Sequence, residues 1–119
     1  MGTTQLDDGV TYVKEVPAIR EDAGISEAGQ IEVADGDVTV LAGSVSVRAE
    51  DGTWWQGDQP NICYYLPGGR RGAAAFNKST YYAGFWDGDK CGDGHSFGLH
   101  AGYQVDPAPI AISRFYLYG

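Results

Sequence analysis

Residues 30–50 run as three seven-residue units without a gap: Gln-Ile-Glu-Val-Ala-Asp-Gly, Asp-Val-Thr-Val-Leu-Ala-Gly and Ser-Val-Ser-Val-Arg-Ala-Glu. Ile31, Val38 and Val45 share one phase of the repeat, and Val33, Val40 and Val47 share another. Gly29, Gly36 and Gly43 punctuate it at seven-residue intervals. Residues two apart in an extended chain face the same way. Each unit therefore reads as a very short strand with two β-branched residues on one side, closed by a turn. Such a unit cannot bury its apolar face alone; it needs stacked neighbours, a second layer or other chains. The repeat thus points to a protein that works by assembly rather than to a solitary enzyme. Asp35-Gly36 and Asp51-Gly52 suit tight hairpin turns. Two topologies fit: an antiparallel meander that reverses at each Gly, and a wound or interleaved β-structure whose neighbours come from other chains.

Charge divides the chain. Residues 1–52 hold eleven of the sixteen acids and only Lys14, Arg20 and Arg48 as bases, so they carry the whole net charge of −8. Residues 53–119 balance five acids with five bases and hold fourteen of the fifteen aromatics. This split predicts an acidic arm over 1–29, the repeat over 30–51 and a Gly- and aromatic-rich β domain over 52–119. An acidic stretch poor in aromatics often stays extended until it binds, so the arm is expected to dock on a neighbouring subunit. A pI near 4.4 argues against nucleic acid, whose binding runs on clustered Lys and Arg, and against an anionic membrane surface. No apolar run reaches the roughly 20 residues of a membrane span. The opening residues lack the basic start and apolar core of a secretory signal, which predicts synthesis in a cytoplasm.

Val10–Val16 reads as a strand ending at Pro17, and residues 18–29 as at most one short helical turn, weakened by Asp22, Gly24 and Gly29. Further strands are predicted at Thr53–Gln56, Asn61–Leu66, Ala73–Phe76, Thr80–Trp86, His95–His100 and Ile110–Tyr118. Short spacing and Gly- and Pro-bearing turns make this region a sandwich or barrel-like domain. The predicted fold is all-β: a short-strand repeat, then a sandwich or barrel, with an extended N-terminal arm.

The aromatics of that domain come as doublets: Trp54-Trp55, Tyr64-Tyr65, Tyr81-Tyr82, Phe85-Trp86 and Phe115-Tyr116. Neighbours on a strand point to opposite faces, so each doublet is expected to send one ring inward and one outward. Outward rings on adjacent strands would form an apolar interface patch. The expected interface residues are therefore Val33, Val38, Val40, Val45 and Val47 of the repeat, with Trp54, Trp55, Tyr64, Tyr81, Tyr82, Trp86 and Tyr116 of the domain. The alternative is a carbohydrate-binding module that stacks Trp54, Trp55, Tyr81, Tyr82 and Trp86 on sugars, with Asp58, Asn77 and Asp87 on hydroxyls.

Sites for chemistry are sparse. Asp87, Asp89 and Asp93 have calcium-loop spacing, but Cys91 interrupts them and no closing bidentate acid follows. Cys63, Cys91, His95 and His100 are ligand types for zinc without its close Cys spacing. The same cysteines suit a disulfide in an oxidising setting and separate buried thiols in a cytoplasm. Arg70-Arg71 between glycines could hold a carboxylate or phosphate, or form a solvated loop tip. No spacing assembles a catalytic set, and no cofactor or metal is assigned.

The Gly-punctuated valine units at residues 29–50 resemble short β repeats in shaft and adaptor segments of tailed-bacteriophage virion proteins. The acidic arm and the Gly- and Tyr-rich remainder resemble small phage tail, head-fibre or decoration proteins. The resemblance implies a non-enzymatic virion component assembled in a host cytoplasm. It implies contacts with its own copies, often as a trimer, and with other virion proteins; a cell-surface glycan is a further candidate partner.

Overall fold

A computed structural model describes residues 12–32 and 43–119 of the chain. Val33, Val38, Val40, the Asp35-Gly36 turn and all of residues 1–11 lie outside the described residues. Among the described residues there are ten strands: β1 Gly24–Glu27, β2 Gly29–Ile31, β3 Val45–Ala49, β4 Trp54–Gly57, β5 Ile62–Tyr65, β6 Gly72–Asn77, β7 Tyr82–Trp86, β8 Ser96–Leu99, β9 Gln104–Val105 and β10 Arg114–Tyr118. They form two five-stranded sheets, in the orders β1-β5-β10-β7-β8 and β2-β4-β3-β6-β9. All pairings are antiparallel except that of β1 with β5. The all-β expectation holds.

The two sheets pack face to face, as the composition of the core requires. Val45, Val47, Trp55 and Ala75 from the second sheet meet Tyr64, Phe85, Phe97, Leu99, Phe115 and Leu117 from the first in one cluster. Phe85 stacks on Phe97 at 4.7 Å, and Tyr64 stacks on Phe115 at 5.1 Å. Alternation along each strand delivers these side chains to the inner face.

The expected arm belongs to the sandwich. Residues 12–23 cross the outer face of the first sheet, and β1 and β2 then become edge strands of the two sheets. Val13 exchanges two backbone hydrogen bonds with Gly98 of β8, at 2.8 and 2.7 Å. Tyr118 donates its hydroxyl to Pro17 O at 2.6 Å, and Tyr82 donates to Glu15 O at 3.1 Å. Val16, Ile19 and Ala23 cover Trp86, Tyr116 and the Cys63–Cys91 pair beneath them. The described part of the arm therefore docks on its own chain. Bare backbone at Gly98 makes this close approach available, since a Cβ there would collide with the Tyr82 hydroxyl.

The repeat does not pack on itself among the described residues. Its first unit supplies β2 and its third supplies β3, and both pair with β4, which lies beyond the repeat. Ile31 and Val45 share a phase in sequence but face opposite sides of the sheet. Ile31 packs outside against Trp54 and Phe76, whereas Val45 lies in the core. The predicted Asp51-Gly52 turn does close the β3–β4 hairpin. Ala49 N–H donates to Thr53 O at 2.8 Å, Gly52 has φ +88°, and the Asp51 carboxylate accepts from Thr53 N–H at 3.0 Å.

Candidate functional site

The aromatic doublets alternate as expected, but their outer rings are covered within the chain. Trp54, Trp55, Tyr64, Trp86 and Tyr116 are all buried, as are Val45 and Val47; Tyr81 and Tyr82 are half-buried. Val45 and Val47 point at the sandwich core rather than at other chains. Trp86 and Tyr116 lie under residues 16–23, and Trp54 lies against Phe76 at 5.3 Å. The sugar platform of Trp54, Trp55, Tyr81, Tyr82 and Trp86 is therefore absent from the surface. Asn77, its expected hydroxyl partner, is fully buried and spends its amide inside: Nδ2 donates to Tyr81 O and Leu99 O, and Oδ1 accepts from Ser79 N–H and Oγ.

The loop after β7 is organised by Asp87. Its carboxylate accepts the His95 N–H at 2.7 Å and lies 3.0 Å from His95 Nδ1. Partial burial works against the charged form, but the contacts from His95 outweigh it and hold the Asp87 pKa below the usual range. Cys63 and Cys91 form a disulfide that ties this loop to β5. Of the two settings weighed for these thiols, the oxidised pair is the one found, and it removes both sulfurs from the zinc set. Among the described residues no three His, Cys, Asp or Glu side chains come together as a metal site.

Two features remain as sites. One is the edge of β1. Ile25 is 76% exposed, in a chain whose only other exposed large apolar side chain among the described residues is Tyr103. Ala28 donates its N–H to Tyr65 O of β5 at 2.9 Å. Backbone groups alternate sides along a strand, so Ile25 and Glu27 turn theirs away from the sheet. The other outer edges are short or guarded. Val13 caps β8, β9 is two residues long, and β2 is three.

The other feature is a pocket of about 280 Å³ beside the same end of β5. The two loops singled out in sequence, 67–72 and 87–95, meet there, and β10 adds Ser113 and Arg114. Gly68 and Gly69 take φ of +72° and +71°, which curls the loop so that Arg70 Nη1 reaches Pro67 O at 2.9 Å. Arg70 also pairs with Asp51 at 3.0 Å and lies over the Trp55 ring. Arg71 donates to Asp87 O at 3.0 Å. Arg114 donates to Ser113 O at 3.1 Å and lies 5.6 Å from the Tyr65 ring centre. Sequence reading found Arg70 and Arg71 but missed Arg114 and Tyr65, because only strand pairing places Arg114 opposite Tyr65.

The fold and these sites define a ten-strand β-sandwich with an N-terminal strap, an open edge and a basic pocket. No protein-family model, curated protein or solved structure matches the chain.

Proposed function

We propose that this chain is a non-enzymatic structural protein that joins copies of itself edge to edge, as a component of a bacteriophage virion. The observation that carries the assembly reading is the β1 edge, which no strand covers among the described residues, with Ile25 76% exposed. An unguarded edge is a template for strand addition, and monomeric proteins usually blunt it.

A second copy fits this edge by charge and register. In an antiparallel two-fold pairing centred on Ile25, Gly24 faces Ser26, Ala23 faces Glu27 and Asp22 faces Ala28 of the other copy. No like charges stand opposite one another, although the stretch is acidic. Ile25 would exchange two backbone hydrogen bonds with its symmetry mate, and their side chains would cover each other. This edge favours a two-fold contact; the trimer implied by the phage resemblance would need a different surface. The virion assignment rests on that resemblance at residues 29–50. The disulfide is consistent with a particle that leaves its host for an oxidising medium.

Light scattering across a dilution series tests the proposal. The wild-type chain should show a mass at least twice its 12.7 kDa that falls on dilution, and Ile25→Lys should be monomeric with an unchanged circular dichroism spectrum. A wild-type monomer at every concentration would contradict self-assembly.

A further inference from the structure

We infer that the pocket framed by Arg70, Arg71 and Arg114 binds a carboxylate-bearing saccharide unit, of the hexuronic acid class. Four observations carry this. First, three of the chain's eight basic residues meet there, the adjacent Arg70 and Arg71 from one loop and Arg114 from β10, in a protein of net charge −8.

Second, two of the three are not neutralised. Arg70 is paired with Asp51 and held against Trp55, so it serves as a fixed wall. Arg71 and Arg114 bond only backbone carbonyls, and among the described residues neither forms an ion pair. Each guanidinium has five N–H donors, and among the described residues these two make one hydrogen bond apiece. A planar carboxylate matches that fork with two parallel bonds.

Third, Asp89 shares the pocket. Its carboxylate would repel a multiply charged phosphate, but it accepts hydrogen bonds from sugar hydroxyls. A ligand with one carboxylate and several hydroxyls satisfies both signs of the lining at once. Fourth, a volume of about 280 Å³ lies at the small end of ligand pockets and suits a single ring rather than an extended chain.

The site is distinct from the β1 edge in its chemistry and can be tested whether or not the chain assembles. Glucuronate, glucose and inorganic phosphate would be titrated separately into the full-length protein, following amide chemical shifts. The inference predicts saturable millimolar binding of glucuronate, with the largest shifts at Gly68, Gly69 and Asp89. Glucose and phosphate should bind at least tenfold more weakly. Arg71→Gln, an exposed position, should weaken glucuronate at least tenfold without altering the remaining spectrum, and Arg114→Gln should do the same. Absence of glucuronate binding would overturn the inference. So would equal binding of phosphate, which would make the pocket a general anion site, or equal binding of glucose, which would leave the arginines without a role.

Discussion

Asn77 shows how tightly single residues are committed in this chain. Its side chain is fully buried and uses all its hydrogen-bonding capacity to join the end of β6 to the turn before β7 and the end of β8. Ser79 relays the network, since its hydroxyl also accepts the Tyr81 N–H at 3.1 Å. Truncation removes a donor from the Leu99 and Tyr81 carbonyls, of which Tyr81 O keeps the Ser79 hydroxyl, and removes the acceptor of the Ser79 N–H, in a dry interior where an orphaned group is costly. Asn77→Ala should therefore destabilise the fold by about 3 kcal/mol, read as a lower urea midpoint at unchanged slope. Asn77→Asp should be no better, because it exchanges two satisfied donors for a buried charge. In sequence, an Asn before Lys-Ser-Thr looks like turn chemistry or a polar contact. Nothing local shows that its partners lie 22 residues away at Leu99.

At the scale of elements, the strap over residues 12–23 explains why Trp86 and Tyr116, outer rings of the first sheet, are hidden. Its anchors are the Tyr82 and Tyr118 hydroxyls, which donate to Glu15 O and Pro17 O. Burial pushes both hydroxyls above the usual tyrosine range, and for Tyr118 the neighbouring Tyr82 and Tyr116 add to the effect. A folded state that holds these protons more tightly than the unfolded chain keeps its full advantage below a pH of about 10, the ordinary tyrosine value. It loses that advantage as pH rises towards the folded-state values. The urea midpoint of the wild type should thus fall as pH rises above about 10. Tyr118→Phe should start about 1 kcal/mol lower and lose less over the same range. An equal loss in both proteins would remove Tyr118 from the strap's anchorage.

The elements differ in how far the sequence showed them. β4 to β8 and β10 were legible because short aromatic-bearing runs are separated by Gly- and Pro-bearing turns. β1 and β2 were not: Gly24-Ile-Ser-Glu and Gly29-Gln-Ile carry little strand propensity and form because β5 and β4 offer them partners. The predicted Val10–Val16 strand shrinks, among its described residues, to one bridge at Val13. The doublets gave the correct alternation. Alternation, however, says which face a ring occupies and not what covers that face, and here the cover is the chain itself: the strap over Trp86 and Tyr116, and Ile31 and Phe76 against Trp54. The glycine spacing of the repeat was misleading for the same reason. Gly43 stands in a turn but Gly29 lies within β2, and Val45 and Val47 find their partners among aromatic rings far along the chain.

For the whole molecule, the division into an acidic half and an aromatic half is not a division into domains. The acidic half supplies β1, β2 and β3, and these build into both sheets of one sandwich. That leaves two parts of the surface unexplained by folding alone, the β1 edge and the basic pocket. They adjoin, because Glu27 at the end of β1 pairs with Tyr65, which lines the pocket. The central claim concerns the edge, and amide hydrogen exchange at Ile25 and Glu27 tests it most directly. In a self-paired edge these two amides, which face away from β5, should be protected at high protein concentration and exchange freely on dilution, with the Ser26 amide protected throughout. Rapid exchange at Ile25 and Glu27 at every concentration would show that no strand adds to β1 and would contradict the account.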